Sequence, residues 1–190
     1  FIPLAEDTGQ IIPISEWVME TACRDAVVLN AESATPITMA INVSPMQFQR
    51  PGFLDSVKQV LARSGLPPAL LELELTEGVL MDSAEHTIQA LQALRQLGVH
   101  IALDDFGTGF SSLGYLHRYP LHIIKVDKSF ITRAPDDERL KAISRAIIGL
   151  GRGLDMDVIA EGIETPEQMD FLHNEGCNFV QGFWFSRPQS

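Results

Sequence analysis

The sequence predicts an α/β protein, a TIM-like (β/α)8 barrel that lacks its first two strands. Three observations lead there. Six short β-rich runs alternate with longer segments of helical periodicity. Each run carries a polar or charged residue on one phase, at or near its C-terminal end. The length of 190 residues falls roughly 60 below the ~250 typical of that barrel, a deficit of about two strand–helix units.

In chain order, the expected strands are TMAINV (38–43), LLELELT (70–76), HIALDD (100–105), HIIKVD (122–127), MDVIAE (156–161) and FVQGFWF (179–185). Helical periodicity fills the spaces between several of them. In 83–97, Ile88, Leu91 and Leu94 recur every third residue before Gly98, a good helix stop. In 137–151, Leu140, Ile143, Ile147 and Leu150 form a similar stripe. The last helix opens with Thr165, Pro166, Glu167 and Gln168, which read as an N-cap, a proline in the first turn and a capping-box partner; Gly176 closes it.

Successive strand residues face opposite sides of a sheet. Ala40, Asn42 and Ser44 therefore share a face, as do Glu72, Glu74 and Thr76, then Ala102 and Asp104. Ile123, Lys125 and Asp127 share another phase, and so do Ile159 and Glu161, while Gln181 lies opposite Val180 and Trp184. The alternate phase is mostly aliphatic, as expected beneath helices. A closed barrel gathers these polar groups at the C-terminal rim, its usual catalytic end. An open doubly wound sheet gathers ligands mainly at its switch point.

Composition narrows the function. A hydrophobic fraction of 45% and a charged fraction of 21% are ordinary for a globular protein, and residues 1–190 read as one domain. The net charge of −11 makes a nucleic-acid duplex a poor partner. A small phosphorylated substrate fits only where cations reverse the local sign. No apolar run is long enough for a membrane span, so no direct membrane contact is expected. Cys23 and Cys177 form no CxxC pair; they read as core residues of a reducing, cytoplasmic compartment. The chain starts FIPLAEDTG without methionine and reads as a piece of a longer polypeptide.

Within IALDDFGTGFSSLGY (101–115), an apolar run ends in two adjacent aspartates and then Gly-Thr-Gly. Buried carboxylates need a cation or several donors. Taken with INVSPMQF (41–48), LELELTEG (71–78), IIKVDKSFI (123–131), VIAEGIET (158–165) and VQGFWFSRP (180–188), this stretch resembles the EAL-type cyclic-di-GMP phosphodiesterases along essentially the whole chain. The resemblance implies a modified (β/α)8 barrel with one antiparallel strand. It also implies metal-dependent hydrolysis of cyclic di-GMP to linear pGpG, Mg²⁺ or Mn²⁺ as cofactor, a homodimer, and fusion to sensory or diguanylate-cyclase-like domains. The parent could then be membrane-anchored, with this domain on the cytoplasmic side. The name-giving Glu-Ala-Leu motif is expected upstream of Phe1. Gly78 stands where the family commonly has serine.

Carried over residue by residue, Asn42, Glu74, Asp104 and Asp105 are the implied metal ligands, and Glu77 anchors the DDFGTGFSS loop. Glu161 and Lys125 flank the attacking water, Glu161 as base or orienting group and Lys125 as charge stabiliser or water orienter. Gln181, Asp127 and Ser44 are expected at the substrate. An all-oxygen donor set favours Mg²⁺ or Mn²⁺ over Zn²⁺, and two such ions can clamp a phosphate and activate water. Plainer readings stand beside these: an ion pair for Glu72, scaffolding for Asp127, and neutralisation of Glu161 or Asp127 by Lys125. The Gly-Thr-Gly segment reads as a loop held by Glu77 rather than a phosphate cradle. The five histidines read as surface or packing residues, and the Phe and Trp residues of 179–185 as wall and core. A non-hydrolytic cyclic-di-GMP receptor and a regulatory scaffold domain are the competing functions.

Overall fold

A computed structural model describes residues 1–81, 85–109 and 116–188. All six expected strands form: β1 Met39–Val43, β2 Leu71–Thr76, β3 His100–Phe106, β4 Ile123–Val126, β5 Asp157–Ala160 and β6 Phe179–Val180. They follow chain order in one sheet, with β1–β2, β4–β5 and β5–β6 parallel. The chain divides into two compact units, residues 1–102 with 118–120 and residues 103–117 with 121–190, so β3 belongs to both.

In the first unit, the Ile11–Glu32 helix leads to β1, the Phe53–Ser64 helix to β2, and the Glu85–Leu97 helix to β3. Asn30 joins the end of the first helix to the approach of β1: its amide donates to Ile37 O and accepts from Ile37 N. Gly52 and Gly65, both at positive φ, bracket the Phe53–Ser64 helix, whose Phe53, Val57, Val60 and Leu61 are buried. On β2 Leu71, Leu73 and Leu75 are fully buried and Glu72 and Glu74 nearly so, the two-sided burial usual for parallel strands. Residues 82–84, at the start of the expected 83–97 helix, lie outside the described residues. Of its stripe, Leu91 and Leu94 are buried and Ile88 is partly so.

In the second unit, β4 is buried throughout. The capping box at Thr165 and Gln168 forms as expected, opening the Pro166–Asn174 helix. Two expectations need correction. The Glu138–Gly153 helix buries Ser144, Ile147, Ile148 and Gly151, leaving Ile143 exposed. Its contact face is selected by small residues: a Cβ at Gly151 would collide with Val158, and Ser144 Oγ donates to Phe130 O at 3.2 Å. The run 179–185 is strand only to Val180. A Cβ at Gly182 would meet the Ile163 backbone, and Phe185 N bonds to Gly182 O, so the chain turns there. Phe179, Phe183, Trp184 and Phe185 are consequently about half exposed rather than core, with the Arg187 guanidinium 5.1 Å from the Phe183 ring centroid.

Cys23 and Cys177 are buried, and burial pushes the Cys23 thiol up to about 11. His86, His117 and His173 are exposed and His100 and His122 partly so, in keeping with surface or packing roles. No described helix is long and apolar enough to cross a membrane.

Two stability predictions follow from these contacts. Gly151→Ala forces a methyl into Val158, and urea denaturation should register a loss of about 1–3 kcal/mol. Asp137 caps the Glu138–Gly153 helix, accepting from the backbone N–H groups of Arg139 and Leu140, which hold its carboxyl below the usual range. A lowered folded pKa means the stabilisation is present above the unfolded value and lost on acidification. Asp137→Ala should therefore lower the melting temperature at pH 7, and the gap from the unsubstituted protein should close as pH falls through the carboxylate range.

Candidate active site

The site in the second unit is built on the ends of β3, β4 and β5. Lys125, on β4, has a side chain only 4% exposed. An ammonium at that depth requires counter-charge. Its Nζ lies 2.7 Å from Glu161 Oε1 and 3.4 Å from Asp104 Oδ1. Glu161 follows β5 directly, and its backbone N–H donates to Val126 O at 3.1 Å. That bond fixes the carboxylate's stem beside the lysine's own strand.

Asp104 and Asp105 answer a geometric difficulty. Neighbours on a strand point to opposite faces, so a flat β3 would separate them. Asp105 instead has φ +53°, a left-handed conformation that costs a non-glycine residue roughly 1–2 kcal/mol. Gly107, at φ +97°, completes the reversal, and Thr108 secures it through Oγ1 and N–H bonds to Asp105 O at 2.9 and 3.3 Å. Asp104, Asp105 and Glu161 can each present an oxygen so that all three lie within 4.8 Å of one another. Asp104 Oδ1 is buried and receives no well-directed hydrogen bond among the described residues. An all-oxygen cluster whose buried Asp104 Oδ1 has the Lys125 ammonium 3.4 Å away but no hydrogen bond among the described residues suits a hard divalent cation.

The plainer reading of Lys125 is thus partly realised: it neutralises Glu161, with Asp104 as second partner. Asp127 has a local task. Its Oδ1 accepts from Ser129 N at 3.0 Å and caps the Lys128–Ile131 helix. Gln181, next along the phase of Glu161, is exposed and exchanges backbone bonds with Ala160 and Ile163.

In the first unit, Asn42 registers against Glu74 and Ala40 against Glu72, so both pairs share one sheet face, as the strand phases predict. Glu74 is buried and Asn42 exposed. Ser44 caps the Pro45–Phe48 helix, accepting from Gln47 N at 3.2 Å. Glu77 begins the Glu77–Met81 helix; residues 110–115 of the loop it is expected to anchor lie outside the described residues. The sequence reading sets Glu161 at the water or in an ion pair with Lys125. The structure also places it among the carboxylates able to hold a cation, a role that the single-strand phase of β5 could not reveal.

A parallel α/β sheet thus presents a carboxylate cluster and a buried lysine at its strand ends. The chain belongs to the EAL domain family, which it matches over residues 1–188. It is 44% identical over 188 residues to the cyclic di-GMP phosphodiesterase NbdA of Pseudomonas aeruginosa, spanning 99% of this chain and 24% of that protein. The signaling protein YkoW of Bacillus subtilis is 43% identical over the same length, with 99% and 23% spanned. The chain thus spans about a quarter of these curated relatives. Among solved structures, the PaMucR phosphodiesterase in complex with c-di-GMP superposes with a TM-score of 0.94 at 44% identity, over all of this chain and 76% of that one. The EAL domain of Mycobacterium smegmatis DcpA gives 0.87 at 36%, over 93% of this chain and 79% of that one.

Lys125→Met leaves Glu161 and Asp104 without their shared ammonium. Removing one partner of a buried pair costs about 3–5 kcal/mol, and urea denaturation without divalent metal should show a loss of that order.

Proposed function

We propose that this domain is a metal-dependent phosphodiesterase that hydrolyses cyclic di-GMP to linear pGpG. The observation that carries the reading is the convergence of Asp104, Asp105 and Glu161, the first and last of them paired with the buried Lys125 ammonium. Its support from relatives is the name of NbdA and the c-di-GMP complex of PaMucR, both at 44% identity.

Asp104 and Asp105, with Glu161 beside them, would hold Mg²⁺ or Mn²⁺; Asn42 and Glu74 join the set on the family resemblance, for two ions in all. When bound, such ions offset repulsion between a dianionic substrate and an acidic domain and acidify water for attack on phosphorus. The chain's own groups then have separable tasks. Glu161 receives Lys125 Nζ on Oε1 and uses its carboxylate to orient the attacking water and accept its proton. Lys125, held between Glu161 and Asp104, donates toward the phosphoryl oxygen as negative charge grows there. Gln181 contacts the substrate at the edge. The capping contacts of Asp127 and Ser44 favour positioning over direct substrate contact. A homodimer, fusion to sensory or cyclase-like domains and a cytoplasmic location belong to the same proposal.

The test is incubation of the intact protein with cyclic di-GMP in Mn²⁺, Mg²⁺ or EDTA, with products resolved by chromatography. The proposal expects pGpG only with metal, and a fall of at least about 100-fold in kcat for Asp104→Asn, on the scale of removing one essential electrostatic group. Tight binding without turnover would instead identify a receptor, and absence of binding a scaffold.

A further inference from the structure

The Lys128–Ile131 helix has no residue in the carboxylate cluster, yet it touches both turns that carry it. Beneath the Asp105 turn, the Phe130 ring lies so close that a Cβ on Gly107 would sit 2.8 Å from Cε2. Beneath the Glu161 turn, a Cβ on Gly162 would collide with Lys128 Cβ. The Asp127 cap starts this helix two residues after Lys125. One turn of helix therefore spaces the lysine, the aspartates and the glutamate.

Two buried polar side chains hold that helix from behind. Ser144 Oγ donates to Phe130 O at 3.2 Å, and Gln168 Nε2 donates to Thr132 O at 3.2 Å. Both carbonyls lie at the helix C-terminus, where intrahelical partners run out. Gln168 also faces the other way: its Oε1 accepts from Glu164 N at 2.7 Å and Thr165 N at 3.1 Å. With two N–H donors at one end and a carbonyl at the other, the amide orientation is determined by its partners. One side chain thus ties the segment after Glu161 to the segment after Lys125. Gln168 is buried, and a helix cap alone needs neither that burial nor the bond to Thr132.

We propose that Gln168 and Phe130 are positioning residues, which set the spacing of Glu161, Lys125 and the Asp104–Asp105 pair through the Lys128–Ile131 helix. The inference rests on the reading of the cluster as a cation site.

Gln168→Glu separates positioning from helix capping. The carboxylate still accepts from Glu164 and Thr165 and suits a helix N-terminus, but it cannot donate to Thr132 O. Mn²⁺ titration of the intact protein, followed by electron paramagnetic resonance, should show affinity weakened about 10-fold or more, the range for residues that orient ligands. Helix content by circular dichroism should be unchanged. Phe130→Leu should weaken Mn²⁺ similarly by vacating the space under Gly107. Asp137→Ala, which destabilises the neighbouring helix away from these contacts, should leave Mn²⁺ affinity alone. A metal-free crystal structure of Gln168→Glu should show the Lys125–Glu161 contact lengthened beyond 2.7 Å. Unchanged affinity with that contact retained, or an equal loss in Asp137→Ala, overturns the proposal. If the unsubstituted protein binds no Mn²⁺, the cation reading fails and the crystallographic contact alone decides the positioning role.

Discussion

A buried ammonium paired with two carboxylates is the constraint on which the second unit depends. Lys125 sits on a strand whose residues are all buried, a position where an unpaired cation would be untenable. Glu161 and Asp104 make it tenable, and Asp105 adds a further negative charge within reach. Asp104, Asp105 and Glu161 thus bring three carboxylates together, Asp104 buried, Glu161 partly buried and Asp105 exposed. An oxygen-only donor set, with Asp104 Oδ1 buried and lacking a hydrogen bond among the described residues, suits a hard divalent cation.

Getting the carboxylates together required departures from regular strand geometry. Asp105 adopts a left-handed backbone, Gly107 turns at positive φ two residues after it, and Gly162 does so directly after Glu161. Strain of this kind persists where surrounding contacts over-determine it. Those contacts are visible: the Thr108 bonds to Asp105 O, the Phe130 ring under Gly107, and Lys128 under Gly162. Chemistry at the rim and packing beneath it are thus parts of one arrangement.

The strand phases were legible because parallel strands alternate simply. Register pairs Ala40 with Glu72, Asn42 with Glu74 and Lys125 with Ile159, in agreement with the faces read from alternation. The capping box at Thr165 was legible because its chemistry is local. What escaped was non-local or small. The buried face of Glu138–Gly153 is chosen by Ser144 and Gly151, which no hydrophobic stripe registers. The aromatic run after Phe179 reads as strand until Gly182 is seen against the Ile163 backbone. Asp105 breaks alternation through its backbone angle, which residue type alone does not announce. Gln168 shows its capping face in sequence but hides its bond to Thr132, 36 residues away.

In the proposed function, Asp104, Asp105 and Glu161 jointly hold a divalent cation beside Lys125. It is tested most directly by diffraction from Mn²⁺-soaked crystals, recorded at the manganese absorption edge. An anomalous peak is expected within coordination distance of oxygens from all three carboxylates, absent after Asp104→Asn. Manganese found only elsewhere, or a cluster closed solely around the Lys125 ammonium at saturating Mn²⁺, would contradict it.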